Sequence, residues 1–182
     1  MLKKTISFLI VILTLSTFKS EAQEVLDSSL VKSILKRSTK KEKRLNKLLS
    51  FGELPHKILV TYQLDEHQIE EYLSRKIQRD DSNVNYINQL ILAEKRYQHL
   101  IAKYYHILSA LLNEEDQSIL EEAQARWHSY KRYEQAVNTM LNPEGYNMKS
   151  IPIAKLAERQ LDITKFRVME LTDYIARFSK KE

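Results

Sequence analysis

The reading of this chain turns on residues 113–141, NEEDQSILEEAQARWHSYKRYEQAVNTML. Asn113 is suited to cap a helix, because its side-chain oxygen can accept a backbone N–H that the first turn leaves unpaired. Glu114, Glu115 and Asp116 follow it, at the end where a helix dipole is positive. Leu120, Ala123, Trp127, Tyr130, Val137 and Leu141 then recur at helical spacing, which predicts a stripe buried against neighbouring helices. Asn142-Pro143-Glu144-Gly145 predicts the stop, since Pro disfavours helical geometry in the residue before it. Trp127 is the only Trp of the chain, a large apolar surface whose indole N–H requires a partner.

The flanking stretches repeat this grammar. Val84 to Leu112 predicts a long helix whose seam is Ile87, Leu90, Glu94, Tyr97, Ile101, Tyr104, Leu108 and Leu111. Glu94 interrupts that seam, as Glu134 interrupts the next one between Tyr130 and Val137. A seam carboxylate needs a charged or hydrogen-bonding partner, and Arg167 is the favoured partner for one of them. The competing reading makes Glu94 and Glu134 a general acid and base, as in glycoside hydrolysis. A final helix, capped by Ser150 and tolerating Pro152 in its first turn, is predicted to Phe178, with Ala157, Leu161, Thr164, Val168, Leu171 and Ile175 in its seam. On the other side, a short helix is predicted from Asp65 or Glu66 to about Asp80, bearing Ile69, Leu73 and Ile77. Residues 51–64, with Gly52 and Pro55, read as a linker or short extended piece. Two Gly and three Pro in 182 residues leave little turn material. The expected fold class is therefore all-α, a small antiparallel bundle of long helices.

The first 22 residues are expected to be a signal peptide. Met1-Leu2-Lys3-Lys4 is basic, Ile6 to Leu15 is apolar but short for a membrane span, and Ser20-Glu21-Ala22 offers small residues for cleavage near Ala22. This predicts an exported protein, periplasmic or secreted; an uncleaved anchor is the alternative. Cysteine is absent, so the fold is held without disulfides and carries no thiol chemistry. The formal charge of +5 is unevenly spread. Residues 23–61 hold nine Lys/Arg against four Asp/Glu, whereas residues 62–182 hold 17 against 19. A basic helical arm with linker (23–61) is thus expected ahead of a slightly acidic helical domain (62–182). The run Lys36-Arg37-Ser38-Thr39-Lys40-Lys41-Glu42-Lys43-Arg44 reads first as a solvated helix face. Its functional alternative is a patch for anionic envelope polymer or a membrane surface. Nucleic acid is disfavoured, because no aromatic interleaves the run.

No catalytic or cofactor constellation is evident. His56, His67, His99, His106 and His128 show no metal-ligand spacing, and there is neither a phosphate loop nor a nucleophile elbow. Only the loop 142–149, NPEGYNMK, has a distinctive character: Pro143 and Gly145 set a turn while Tyr146 and Met148 offer apolar contacts beside Lys149.

The pieces Leu120-x2-Ala123-Gln124-x2-Trp127-x2-Tyr130-Lys131 and Ile163-Thr164-x2-Arg167-x3-Leu171 resemble the lysozyme inhibitor LprI-like domain family, across about Glu66 to Tyr174. That resemblance implies a small helical envelope module that acts by protein–protein binding without catalysis, in some members by inhibiting lysozyme. Family members carry cysteines at places matching about Gln135 and Arg159, and an Arg where this chain has Lys131, so one disulfide is missing by comparison. Lysozyme is cationic with two carboxyl groups in its cleft, and Pro143, Gly145, Tyr146, Met148 and Lys149 form the candidate partner-binding loop. For Gln124 and Trp127, helix packing is favoured over a recognition patch. A scaffold that binds anionic surfaces through the basic arm is the alternative function.

Overall fold

The computed structural model describes residues 28–48, 54–141 and 151–178. These form five helices: α1 Ser28–Leu48, α2 Leu54–Arg79, α3 Asn83–Ser109, α4 Glu114–Met140 and α5 Ile151–Phe178. No strand occurs among the described residues, and the chain is an all-α bundle as expected. The signal segment 1–22 and the loop 142–149, with Pro143, Gly145, Tyr146, Met148 and Lys149, lie outside the described residues.

Local chemistry sets the boundaries. Ser82 Oγ accepts from Asn85 N at 3.3 Å and caps α3, and Asn113 Oδ1 accepts from Asp116 N at 2.8 Å and caps α4. Consecutive helices run antiparallel, as cross-links show. Arg37 meets Glu71 and Ser33 meets Arg75 between α1 and α2. Lys103 meets Asp65 and Tyr97 meets Glu70 between α2 and α3. Helices α3 and α5 run parallel, Tyr86 facing Glu158 and Glu94 facing Thr164, and make the most extensive contact in the molecule. With α2 against both, they form a three-helix core; α1 covers the outside of α2, and α4 leans on α5.

The α3 seam is realised as its spacing predicts: Ile87, Leu90, Tyr97, Ile101, Tyr104 and Leu108 are all buried. They interlock with Leu161, Val168, Leu171 and Ile175 of α5 and Ile58, Ile69 and Leu73 of α2. Each such side chain, taken fully from water, contributes about 1.5–3 kcal/mol. Leu30 and Ile34 dock α1 on Tyr72 in a smaller satellite core.

Two expectations fail. Residues 54–64 are helix, not linker; Pro55 sits in the first turn of α2, where its missing N–H costs no hydrogen bond, and Ile58, Val60 and Tyr62 are buried. The predicted boundary between residues 61 and 62 therefore falls inside a continuous helix. The larger correction concerns α4. Only Leu120 of its apolar stripe is buried; Trp127 is half-buried, and Ala123, Tyr130, Val137 and Leu141 are exposed. The side turned inward is instead Leu120, Gln124, Trp127, Lys131, Glu134 and Asn138, about a quarter turn round the helix from the apolar stripe. Helix α4 is thus seated mainly through polar groups.

Candidate functional site

The two separated sequence pieces meet at the junction of α3, α4 and α5. Arg167 of α5 is only 5% exposed. Its Nε donates to Gln124 Oε1 of α4 at 3.0 Å and its Nη1 to Glu170 Oε2 at 3.2 Å, while Nη2 is buried with no hydrogen-bond partner among the described residues. Thr164 and Leu171, one turn to either side, are fully buried. Two turns along α4 from Gln124, Lys131 forms an ion pair with Glu94 of α3, both side chains about 85% removed from solvent. Gln98 also donates to Glu94. Thr164 Oγ1 lies 3.3 Å from Glu94 but 2.7 Å from Gln160 O, and its single proton serves the nearer oxygen. The Lys131 ammonium stands 5.6 Å from the Trp127 ring centre, and the His128 ring lies 4.8 Å from the same indole. Burial, then the charges of Lys131 and Arg167, holds the His128 imidazole below its ordinary 6.5.

Arg167 therefore pairs with neither seam carboxylate, contrary to expectation. Lys131 holds Glu94, and Arg159 holds Glu134 at 3.2 Å while also reaching Tyr130 Oη at 3.3 Å. Heptad spacing could place Glu94 and Glu134 in seams but not rank the cations that cross to them. The Glu134–Arg159 tie bridges α4 and α5. A cleft of about 290 Å³ beside this junction is lined by Glu94, Gln98, Lys131, Gln135, Leu156 and Gln160, among others. Glu134 is not among its walls, so the cleft does not present the two carboxylates together.

Outside the junction, Ile119, Tyr130, Tyr133, Val137, Met140 and Leu141 leave α4 with an exposed apolar flank, each 46–69% accessible. Phe166 of α5, 61% accessible, lies two turns from Arg159 and so on the side of α5 that meets Tyr130. Acidic residues crowd the start of the same helix: Glu114, Glu115, Asp116, Glu121 and Glu122.

A polar layer through the core was not anticipated. Tyr62, Tyr97 and Tyr104 donate to Glu66, Glu70 and Asp65 at 3.0, 2.6 and 2.9 Å, and Lys103 and Lys165 close on Asp65 and Glu70. Burial first, then these carboxylates, pushes all three phenols up. The signal was available: Tyr97 and Tyr104 are a heptad apart in a seam, so their hydroxyls required acceptors. No group of three or more His, Cys, Asp or Glu able to hold a metal occurs among the described residues. Nor does any helix there have the length and apolarity to cross a membrane.

Comparison with family models, with characterised proteins and with solved structures gives no match for this chain.

Proposed function

We propose that this protein is an exported, non-catalytic protein-binding module of the lysozyme-inhibitor type, taking a cationic lysozyme-type hydrolase on the outer face of α4 and α5. The observation that carries the reading is the exposed apolar flank of α4: six large apolar side chains share one helix without covering by the rest of the described chain. The head of that helix is acidic, with Glu114, Glu115, Asp116 and Glu121 beside a Glu122 already paired with Arg126, which suits the approach of a basic enzyme. The resemblance supports the partner class, and the Gln124–Arg167 contact fits the two motif pieces acting as one packing unit beneath the face. Glu94 and Glu134, each committed to a cation on another helix, fit a structural role better than acid–base work. The test is lysozyme hydrolysis of cell walls in the presence of the mature chain from Gln23 onward, with calorimetry for binding. Stoichiometric inhibition lost in Tyr130→Ser with Val137→Ser is expected. Absence of both inhibition and binding across lysozyme types overturns the reading, and inhibition untouched by that variant moves the site elsewhere.

A second reading rests on α1. Lys32, Lys36, Lys40 and Lys43 recur at steps of four, four and three, and all are exposed, so they form one basic stripe. Such a stripe suits an anionic polymer or membrane surface. Co-sedimentation with anionic vesicles that survives replacement of all four by Gln removes this reading.

A further inference from the structure

The outer flank of α4 carries a second periodic row beside the side that faces the core. Ile119, Ala123, Arg126, Tyr130, Tyr133, Val137 and Met140 recur at alternating steps of four and three, and all are exposed. That alternation is the spacing of a coiled-coil seam, here sustained for three heptads. The row does not seat the helix, because Leu120, Gln124, Trp127 and Lys131 do so from the inward side. Arg126, its one charged member, is matched within the helix by Glu122 at 2.5 Å. It therefore brings a long apolar stem to the row and no unpaired charge. Half-exposed chains of this size present on the order of 100 Å² each, since a large aromatic offers about 150–250 Å² in all. The six large apolar chains of the flank, with Phe166 of α5, thus approach the roughly 800 Å² per partner of a stable interface. The largest patch on a typical monomer is about 300–600 Å².

We propose that this row is a homodimer interface, in which α4 of a second copy of the chain packs antiparallel on α4 across a two-fold axis at Tyr130. The row is self-complementary in that orientation. It sets Ile119 of one copy opposite Met140 of the other, Ala123 opposite Val137, Arg126 opposite Tyr133, and Tyr130 opposite Tyr130. Each unlike pairing then occurs twice, as a two-fold axis requires. Charge selects the orientation. A parallel pair would set Glu114, Glu115, Asp116 and Glu121 of one copy against the same four of the other. Antiparallel packing parts the two acidic heads by about 40 Å and lets the helix dipoles oppose. The proposal goes beyond the lysozyme-type reading and stands without it. Where that reading also holds, dimer and hydrolase compete for one face, and self-association sets how much of the chain is free to bind.

The experiment is sedimentation equilibrium of the mature chain from Gln23 onward. A reversible dimer is expected, with a dissociation constant on the order of 10–100 μM. Val137→Glu should raise that constant about a hundredfold, because the two-fold axis presents the new charge twice. Val137 is exposed, and a melt of the dilute variant keeps loss of fold apart from loss of pairing. The chain has no cysteine, so one introduced thiol reports the register. Tyr130→Cys should be joined into a covalent dimer by a short bis-maleimide. Ile119→Cys should not, since its two copies stand about 33 Å apart along the helices. A chain that stays monomeric to about 1 mM overturns the proposal. So does a dimer indifferent to Val137→Glu, or cross-linking as ready at Ile119 as at Tyr130. Lysozyme inhibition by a chain that never dimerises sinks the dimer alone, whereas dimerisation without lysozyme binding supports it and removes only the hydrolase reading.

Discussion

Gln124 Oε1 receives the Nε–H of Arg167 at 3.0 Å, joining two helices through side chains 43 residues apart in the chain. Arg167 nevertheless remains under-partnered for a residue so deeply buried, with Nη2 lacking a hydrogen-bond partner among the described residues. A buried charge that is incompletely paired contributes little and can be outdone by an apolar residue of similar volume. Arg167→Met is accordingly expected to change stability by about 1 kcal/mol or less, in either direction. Arg167→Ala should cost about 2 kcal/mol or more, because it also leaves a cavity. Urea denaturation of both variants checks this; a loss in the Met variant as large as in the Ala variant contradicts it.

The Lys131–Glu94 pair is a different case, because each charge is met. Lys131→Met should cost about 2–3 kcal/mol, somewhat less than the loss of an isolated buried partner, since Gln98 still donates to Glu94. A double-mutant cycle with Glu94→Gln is expected to give a coupling of about 1 kcal/mol or more. Additive losses would show that the two side chains do not act as a pair.

Apolar residues of α4 should divide sharply. Leu120→Ala is expected to cost about 2–3 kcal/mol, and half-buried Trp127→Ala about 2 kcal/mol, below the ~3–5 of a fully buried Trp. Tyr133→Ser and Met140→Ser, both exposed, should each fall within about 0.5 kcal/mol of the parent. Thermal melts suffice. A large loss at Met140 would mean that α4 is rotated from the orientation described.

Stability should fall as pH drops through the histidine range. His67 and His128 are both held below their ordinary 6.5, chiefly by burial and then by Lys41 at His67 and Lys131 at His128. The unfolded chain therefore binds protons before the folded chain does, so the stability present above pH 6.5 erodes as pH falls through the lowered folded values. Glu71 adds to the loss further down: burial alone raises its carboxyl, but the Arg75 hydrogen bond and the Arg37 charge prevail and lower it below 4.5. His67→Gln with His128→Gln should flatten the melting temperature between about pH 7 and 5 and leave the lower limb intact.

These distinctions trace what was legible in the sequence. The α3 seam was, because its eight positions recur without drift and two neighbouring helices do cover them. The cap at Asn113 was, because a cap is local chemistry. The orientation of α4 was not. Periodicity reports which residues share a side of a helix, and says nothing of whether another element lies against that side. Ala123, Tyr130 and Val137 made a plausible seam, yet Gln124, Lys131 and Glu134 face inward because Arg167, Glu94 and Arg159 await them. The break expected around Gly52 and Pro55 does fall between the end of α1 at Leu48 and the start of α2 at Leu54, but the residues after it to Leu64 are helix and not linker.

The polar seating of α4 also has a kinetic consequence. Its anchorage is one buried Leu, a half-buried Trp and a few charge-assisted bonds, whereas α2, α3 and α5 share the main apolar core. Backbone amides of Glu114–Met140 should consequently exchange with solvent through a low-energy opening that leaves the other three helices folded. A partner that settles on the outer flank would then slow exchange along all 27 residues of that helix, including amides it never touches. Exchange protection, read helix by helix, becomes a reporter of binding even while the ligand's identity is open. Under the proposed reading, affinity for a partner on that flank is then set partly by how much of the helix is already docked before the partner arrives.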